Sequence, residues 1–463
     1  MTDYSYKVKR WEPDSGGFTR AVVLKVAQRR FHCHYSSHLS DLPRRRAIVY
    51  ASLTRANRLL ELRNRRDPVL AFSQGATVYQ GPPNIGPYGE KIFSASANMV
   101  FALREEAKEG FEIVEERVKC RNSNLANSLN DAIRMGHAAV CFLSERSSNS
   151  LISNDQIIAV SDAIGFPEEI TGPDLVFNAS FFLMEAEDTT SYASAFGEPI
   201  GLVMDSGVIR SPALFDRSAI LDDQAKWKVC RMSIKDMVVE VGSHSFIHGQ
   251  NCEFHTRSKG HFLESRSNLI SISGRTIHAY NRDGGIEIPD AGFVIETDLT
   301  LSESALTVPV NYRLNTHQGV RTGVQTGPVL VSGGKPLGTF PNEEFSRPGV
   351  PEVPPTDLKL DWDQTVAPRM GIGFDRSGNI IVIAVEGCNT GAYVAGDDSC
   401  GCTFSELAEL FAEEDAEEAL YLDGGGSAFL KIYQGMAIKP ADRMLRPGLF
   451  YQRAVPTVLA SET

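Results

Sequence analysis

An acidic residue and a run of glycines near the end of the chain form the clearest candidate for chemistry. The apolar run 419–422 leads directly into a carboxylate and a short loop: Asp423, Gly424, Gly425, Gly426 and Ser427. Three successive glycines indicate unusual dihedral angles or the close approach of a partner, because glycine otherwise costs backbone entropy. Without Cβ atoms, the N–H groups of such a loop are open to an anion or a polar substrate. The same residues also fit a tight turn with an N-capping serine, and their spacing alone does not separate the two interpretations.

A second carboxylate follows another apolar run. The β-branched segment 378–385 predicts a buried strand that leads into Glu386. A capping box at 403–406 predicts a helix that runs to about Glu418, just before the strand that ends at Asp423. If the two strands are neighbours in one sheet, both carboxylates and the glycine loop meet at one edge of that sheet.

Other polar side chains stand at less specific positions. Asn178 lies inside the apolar strand 175–182, where it is either a hydrogen-bonded structural amide or a site group at a strand end. Several histidines and cysteines could bind a metal, but their spacings fit neither a zinc ribbon nor a metal-binding helix: Cys388, Cys400, Cys402, His244, His248, Cys252, His255 and His261. We interpret them as free thiols and as core or surface histidines, and predict no metal site.

The length of 463 residues is compatible with one large domain or two. Residues 151–463 carry the polar strand ends and form the predicted functional domain. Residues 1–150 carry no recognisable chemistry, so we interpret them as an N-terminal extension or as an insertion-bearing part of the same domain. The elements predicted towards the N-terminus are a strand at 18–27 and helices at 44–66, 124–135 and 153–164.

Composition argues against several classes of partner. The formal net charge of −12 argues against nucleic-acid binding. The chain has no run of about 18 apolar residues, so no membrane span is predicted. Its first 17 residues lack the apolar core of a secretory signal. The eight cysteines are sparse and irregularly spaced, which is typical of free thiols in a reducing compartment. We therefore expect a cytoplasmic protein without a nucleic-acid or membrane partner.

Eight motifs follow one another in a specific order. They are FNASFF (177–182), EPIGLVMDSGVI (198–209), IPDAGFVIE (288–296), TGPVLVSGGK (326–335), PRMGIGFDRSGNIIVIAVEG (368–387), TFSELAELF (403–411), LYLDGGGSAFL (420–430) and QRAVPTVL (452–459). Taken together, they resemble the phosphodiester glycosidase family over about residues 151–460. The most specific element is LDGGGS with the helix that precedes it.

This resemblance implies a fold and a reaction. The implied fold is mixed α/β (α+β), rich in strands, with helices packed on the sheet and a helix-containing N-terminal extension. The implied reaction is hydrolysis of the anomeric C–O bond of a sugar-1-phosphodiester, which gives free sugar and a phosphomonoester. The best-known family member removes N-acetylglucosamine from such a diester. The substrate would be a small molecule or a glycan, and no cofactor is implied; the ligand spacing gives no support for a divalent metal at the phosphate.

The resemblance also assigns roles to residues of this chain. A phosphate leaves easily, so the reaction needs a carboxylate to activate water or to stabilise an oxocarbenium-like centre, which we assign to Asp423 and Glu386. Cations bind the phosphate, which we assign to Arg369 and Arg453. The remaining groups are expected to hold polar substrate atoms: the glycine amides with Ser427 for phosphate or sugar oxygens, and Asn178 for a sugar hydroxyl.

Four positions depart from the family pattern. Ser180 replaces a usual glycine, Met370 a threonine, Glu386 an aspartate and Ala428 a hydroxyl residue. The exchange at Glu386 moves its carboxylate by about one methylene, which changes geometry or substrate. Two alternatives therefore stay open: a sugar-phosphate or nucleotide-sugar binding protein without turnover, and another glycosidase or phosphodiesterase.

Overall fold

The structure is a computed structural model that describes part of the chain. It covers residues 4–12, 17–27 and 31–35, short strands between 69 and 159, residues 172–183, and most of 198–461. The larger gaps in the last segment are 341–364, 389–393, 444–449 and 452–454. The helices predicted at 44–66 and 124–135, and Arg453, lie outside the described residues.

Strands account for most of the described elements. The N-terminal ones are β1 (Tyr4–Trp11), β2 (Thr19–Val26), β3 (Phe31–Tyr35), β4 (Val69–Leu70), β5 (Lys91–Ser94), β6 (Met99–Leu103), β7 (Phe111–Val114), β8 (Arg117–Cys120), β9 (Ala139–Cys141), β10 (Leu143–Ser144) and β11 (Ile157–Ala159). Then follow β12 (Leu175–Asn178), β13 (Val203–Asp205), β14 (Val208–Ser211), β15 (Arg217–Asp223), β16 (Lys226–Met232), β17 (Met237–Val241), β18 (His244–Ile247), β19 (Glu253–Thr256), β20 (Phe262–Ser273), β21 (Thr276–Glu287), β22 (Gly292–Thr297) and β23 (Asn311–Leu314). The C-terminal strands are β24 (Thr322–Gln325), β25 (Val329–Ser332), β26 (Lys335–Pro336), β27 (Arg369–Asp375), β28 (Ile380–Val385), β29 (Ala416–Leu422), β30 (Leu430–Ile432), β31 (Gly435–Met436), β32 (Asp442–Arg443), β33 (Phe450–Tyr451) and β34 (Thr457–Ser461).

Helical structure is scarce in the described part of the chain. It consists of one α-helix, α1 (Phe404–Glu413), and short 3₁₀ turns at Ile234–Asp236, Arg257–Lys259, Glu303–Thr307 and Gly425–Ser427. The expected α+β fold with several helices packed on the sheet is therefore wrong, because the described residues form an essentially all-β protein. The helix predicted at 153–164 contains β11, whose residues Ile157 and Ile158 are β-branched and fit a strand better than a helix.

The predicted helix before Asp423 is present but shorter than expected. Thr403 and Glu406 form the predicted capping box, in which each side chain accepts a hydrogen bond from the backbone N–H of the other. The helix ends at Glu413 because Asp415 turns the chain with φ of 63°. Residues 416–418, expected to be helical, begin β29 instead. The apolar face of α1 is buried and includes Leu407.

The central sheet positions the predicted site. Its strand order is β1-β2-β28-β27-β29-β25-β26. Every pair of neighbouring strands in this sheet is antiparallel, so β28 and β29 run in the same direction with β27 between them. The two strands are thus not direct neighbours, yet their C-terminal ends meet the N-terminal end of β27 at one edge of the sheet.

Strands from the beginning of the chain complete two sheets of the C-terminal half. The predicted strand at 18–27 is confirmed as β2, which pairs with β28 over six residues from Ala21 opposite Val385. Strand β3 pairs with β34, the last strand. Residues separated by more than 360 positions therefore lie side by side at the predicted site.

Two apolar layers hold the sheets together. A second sheet, in the order β3-β34-β12-β30-β31, packs on one face of the central sheet, and side chains such as Phe177, Ala384 and Leu430 fill the space between them. The other face carries α1 and the remaining β-rich segments, with Val385, Phe404 and Tyr421 in that core. Burial of these apolar faces is the main favourable contribution to the fold.

Candidate functional site

Three polar residues come together at one edge of the central sheet. Asp423 follows β29, Glu386 follows β28, and Arg369 begins β27 between them. The register is continuous across the edge, because Arg369 lies opposite Val385, and Met370 opposite Leu422. The sequence analysis expected the two carboxylates to meet if their strands were neighbours; β27 separates the two strands, although both strands end on the same side of the sheet.

The glycine loop forms one tight 3₁₀ turn after Asp423. A Cβ atom on Gly424 would lie 2.1 Å from the Tyr421 hydroxyl oxygen and 2.8 Å from the Pro368 carbonyl oxygen, so no larger residue fits there. Gly425 has φ of 57°, which favours glycine, and its N–H donates to the Pro368 carbonyl at 2.9 Å. Gly424, rather than Ser427, occupies the N-cap position of this turn. The glycines therefore allow the loop to lie close against Pro368 and Tyr421.

Asn178 holds the two ends of this loop. Its Nδ2 donates to the Asp423 carbonyl at 2.6 Å, and its Oδ1 accepts from the Phe429 N–H at 2.8 Å. Asp423 itself donates its N–H to the Ala179 carbonyl at 3.1 Å. Asn178 is 1% exposed, and its buried, hydrogen-bonded amide fixes both the loop and the backbone of Asp423.

Arg369 is buried beside the same loop. Its guanidinium carbon lies 4.3 Å from the centroid of the Phe404 ring, a cation–π contact. Nε donates to the Cys402 carbonyl at 3.2 Å, and Nη2 donates to the Thr365 carbonyl at 2.7 Å. Only 2% of Arg369 is exposed. The structure therefore holds this cation rigidly, close to the sheet edge rather than on the surface.

Tyr421 contacts Arg369 and is affected by the charge of Asp423, and it was not among the residues predicted from the sequence. Arg369 Nη1 donates to the Tyr421 hydroxyl at 3.4 Å. Burial raises the pKa of Tyr421 to about 12, Arg369 opposes this effect, and the charge of Asp423 adds to it. The hydroxyl therefore stays protonated near neutral pH. The signal in the sequence was the two-residue spacing from Tyr421 to Asp423, which places both side chains on one face of a strand.

Glu386 has partners that the sequence did not indicate. Its Oε1 accepts hydrogen bonds from Arg20 Nη1 and from the Lys439 N–H, the latter at 2.9 Å. Its own N–H donates to the Arg20 carbonyl at 2.9 Å. Glu386 is 5% exposed, so it forms a largely buried ion pair with Arg20. Nothing in the local sequence around either residue indicates this pair, because 366 positions separate them.

The two carboxylates project towards opposite faces of the sheet. Val385 belongs to the core that also contains α1, whereas Ala384 belongs to the core under the second sheet. Alternation along the extended backbone then places Glu386 on the second-sheet side. Tyr421 lies on the α1 side, and the same alternation places Asp423 there. One edge thus carries two groups of polar residues rather than a single pair of carboxylates.

The remaining predicted residues are placed as follows. Ser427 is completely buried, and no described residue forms a hydrogen bond with its Oγ. Burying a hydroxyl without a hydrogen-bond partner costs roughly 1–3 kcal/mol of folding free energy. Such a hydroxyl often indicates a bound ligand or water molecule. The hydroxyl of Ser180 bonds the hydroxyl of Thr457. Met370 and Ala428, two other departures from the family pattern, pack in the core between the sheets.

Two further findings concern metals and membranes. Among the described residues, no group of three or more His, Cys, Asp and Glu side chains is placed to hold a metal ion. No helix within the described ranges has the length and apolar character needed to cross a membrane.

A strand-rich protein with a carboxylate, a buried arginine and a glycine loop at one sheet edge is suited to a polar, anionic ligand. Residues 251–461 match the family described as phosphodiester glycosidase. The resemblance found in the motifs is thereby confirmed for the segment that contains Arg369, Glu386 and Asp423. Asn178 and Arg20 lie outside the matched segment.

Individual proteins and solved structures are also similar to this chain. The chain is 25% identical over 217 residues to N-acetylglucosamine-1-phosphodiester alpha-N-acetylglucosaminidase of Mus musculus, a match that spans 46% of this chain and 36% of that relative. Among solved structures, the zebrafish enzyme of the same name, described as a catalytic domain auto-inhibited by its pro-peptide, shares 12% identity with a TM-score of 0.35, covering 100% of this chain and 84% of that one. A hypothetical protein from Synechocystis shares 14% identity with a TM-score of 0.37, covering 100% of this chain and 81% of that one.

Proposed function

We propose that this protein hydrolyses a sugar-1-phosphodiester and breaks the bond between the anomeric carbon and the phosphate oxygen. The observation that carries the proposal is the environment of Asp423, whose backbone is fixed by Asn178 and whose side chain lies on the face that holds Tyr421 and Arg369. The family match supports the reaction class. The name of the mouse relative supports a substrate that carries N-acetylglucosamine.

In this reaction water attacks the anomeric carbon as the bond to the phosphate oxygen breaks. Asp423 accepts a proton from the water, and the electron pair of the broken bond leaves with the phosphate as a phosphomonoester. Because the leaving group is already a stable anion, it needs little help from a general acid. The sugar ring passes through an oxocarbenium-like state, which the negative charge of Asp423 also stabilises.

The neighbouring groups act on the phosphate and on the geometry of Asp423. Arg369 supplies a fixed positive charge near the developing phosphate, and its buried setting strengthens this interaction. Tyr421 remains a neutral hydroxyl that orients Arg369. The Ser427 hydroxyl, without a partner in the described residues, is available to bind a phosphate or sugar oxygen. Arg453 stays a predicted phosphate ligand.

Glu386 has a different role in this proposal from the one that the sequence suggested. Its Oε1 already accepts two hydrogen bonds, and alternation places its side chain on the opposite face from Asp423. We therefore assign the chemistry to Asp423 and treat Glu386 as a positioning residue for Arg20 and for the backbone at Lys439.

The test is hydrolysis of a panel of sugar-1-phosphodiesters, including UDP-N-acetylglucosamine, by the wild type and Asp423→Asn. Asp415→Asn is the matched control, since it makes the same change at the other end of β29, where φ of 63° also suits asparagine. We expect free sugar from the wild type and the control, but none from Asp423→Asn, with all three proteins equally stable. Retained activity in Asp423→Asn would exclude its proposed role.

Isotope-labelled water separates this reaction from its alternatives. Cleavage of the anomeric C–O bond places the ¹⁸O label in the sugar, whereas cleavage of the P–O bond places it in the phosphate. Binding of substrates without release of any product would favour the sugar-phosphate binding protein instead.

The compartment is also a proposal. Four of the described cysteines, Cys33, Cys230, Cys252 and Cys402, have free thiols. Free thiols are typical of a reducing compartment, which supports a cytoplasmic location. Localisation of a tagged protein in cells would test it.

A further inference from the structure

Arg20 is fixed at the same sheet edge but belongs to none of the predicted functions. Its N–H donates to Ser399 Oγ at 3.0 Å, and that hydroxyl donates to the Glu386 carbonyl at 2.7 Å. The Arg20 carbonyl accepts from the Glu386 N–H. The backbone at Arg20 is therefore held from both sides, as a binding group at the start of a strand must be.

Only one nitrogen of the Arg20 guanidinium, Nη1, has hydrogen-bond partners among the described residues. Nη1 bonds Glu386 Oε1 and donates to the Ala437 carbonyl at 3.2 Å, so both hydrogens of this nitrogen are used. No described residue accepts a hydrogen bond from Nε or Nη2 of Arg20. The Nε and Nη2 hydrogens form the planar fork that binds a phosphate or carboxylate through two parallel bonds. The side chain is 22% exposed, which leaves this fork within reach of a ligand.

The position of Arg20 relative to Asp423 defines which part of a substrate it could reach. The strand order places β2 three strands away from β29, with β28 and β27 between them. At about 4.8 Å per strand, the two backbones are about 14 Å apart along the edge. Alternation places Arg20 and Glu386 on the second-sheet side of the central sheet and Asp423 on the α1 side. A ligand that contacts both Arg20 and Asp423 therefore extends across the end of the sheet, which requires a second anionic group further along the leaving group.

We propose that Arg20 binds a second phosphate in the leaving group and makes the protein select sugar diphosphate diesters over simple sugar monophosphate diesters. This inference rests on the proposed function, since it names the class of leaving group for the same site. Glu386 holds Arg20 in place by bonding Nη1, which leaves the Nε–Nη2 fork for the ligand.

The experiment compares two substrates, UDP-N-acetylglucosamine and the methyl phosphodiester of N-acetylglucosamine-1-phosphate. Arg20→Gln should lower kcat/KM for the first by roughly 10- to 100-fold, the value of a charge-assisted bidentate contact. For the second substrate it should change kcat/KM less than about threefold. The ratio of the two values is the readout, because a loss of folded protein lowers both equally. Arg20→Lys keeps the charge but loses the fork, so its ratio of kcat/KM values should lie between those of the wild type and Arg20→Gln.

Arg376→Gln is the matched control. Arg376 also forms an ion pair with a glutamate of the central sheet, Glu417, but at the opposite end of β27 and with 82% of its side chain exposed. Its substrate ratio should equal that of the wild type. An equal loss on both substrates in Arg20→Gln, or no loss on either, would overturn the proposal.

Binding of inorganic pyrophosphate tests Arg20 independently of turnover. Calorimetric titration should show binding by the wild type and Arg376→Gln, and at least tenfold weaker binding by Arg20→Gln. If no substrate is hydrolysed but this difference is found, the proposed reaction fails while the anion site at Arg20 stands. Equal binding in all three proteins, or no binding by the wild type, would refute the site itself.

Discussion

Glu414 offers a test of how the N-terminal hairpin is attached to the site-bearing sheet. Its carboxylate lies at the end of α1, is 2% exposed, and contacts the ammonium groups of Lys7, Lys9 and Lys25 at 2.7, 2.8 and 3.1 Å. Lys7 and Lys9 belong to β1, and Lys25 belongs to β2, the strand that also contains Arg20. Replacing Glu414 with glutamine removes the charge that three lysines share.

The magnitude follows from the pKa of this carboxylate. Burial alone would raise it, but the hydrogen bonds of the three lysines and the charge of Lys9 lower the pKa from 4.5 to about 2. At about 1.4 kcal/mol per pKa unit, this shift corresponds to roughly 3.5 kcal/mol. Solvent screens the more exposed lysines, so we expect a loss of about 2 kcal/mol in the free energy of unfolding.

The pH dependence has a definite sign. Because the folded state has the lower pKa, the stabilisation by Glu414 is complete above pH 4.5 and disappears as the pH falls through about 2. Urea unfolding should show the loss of about 2 kcal/mol in Glu414→Gln at pH 7, and a vanishing difference from the wild type near pH 2. Glu413→Gln, whose side chain is 62% exposed, is the control and should lose under about 1 kcal/mol. A difference for Glu414→Gln that is constant with pH would refute the electrostatic reasoning.

Two further substitutions test the packing behind the site. Gly424→Ala places a Cβ 2.1 Å from the Tyr421 hydroxyl, and thermal unfolding should show a loss of about 1–3 kcal/mol in the free energy of unfolding. Gly338→Ala is the control and should be neutral, because its Cβ would have no atom within 4 Å. In a Tyr421→Phe background the cost of Gly424→Ala should shrink, and an unchanged cost would contradict the close contact. Tyr421→Phe alone should lower kcat/KM for the sugar phosphodiester several-fold with little change in Tm, because it removes only the hydroxyl that orients Arg369; an unaltered kcat/KM would argue against that role.

Local patterns in the sequence were sufficient for the elements around the site. The capping box at Thr403 and the β-branched run before Glu386 depend on nearby residues, and both have the predicted structure. The glycines after Asp423 form a turn, with Gly424 rather than Ser427 at its N-cap. The end of α1 was misplaced because acidic residues with good helix propensity continue to Glu418, while Asp415 turns the chain.

Long-range pairing was beyond the reach of these patterns. The order of strands placed β27 between the two strands that carry the carboxylates, and no local signal determines that order. The same limit applies to Arg20, which reaches Glu386 only because β2 pairs with β28. The fold class was wrong in part because the helix predicted at 153–164 contains β11, a short β-branched strand that pairs with β9.

The pairing of β2 with β28 also constrains how the protein is made. About 360 residues must be synthesised after Arg20 before its partner strand exists, and Asp423 follows later still. Closing such long loops slows folding, and a hairpin that waits with one unpaired edge is exposed to incorrect partners. The growing chain on the ribosome therefore contains no assembled candidate site until β28 and the glycine loop after Asp423 have both been translated.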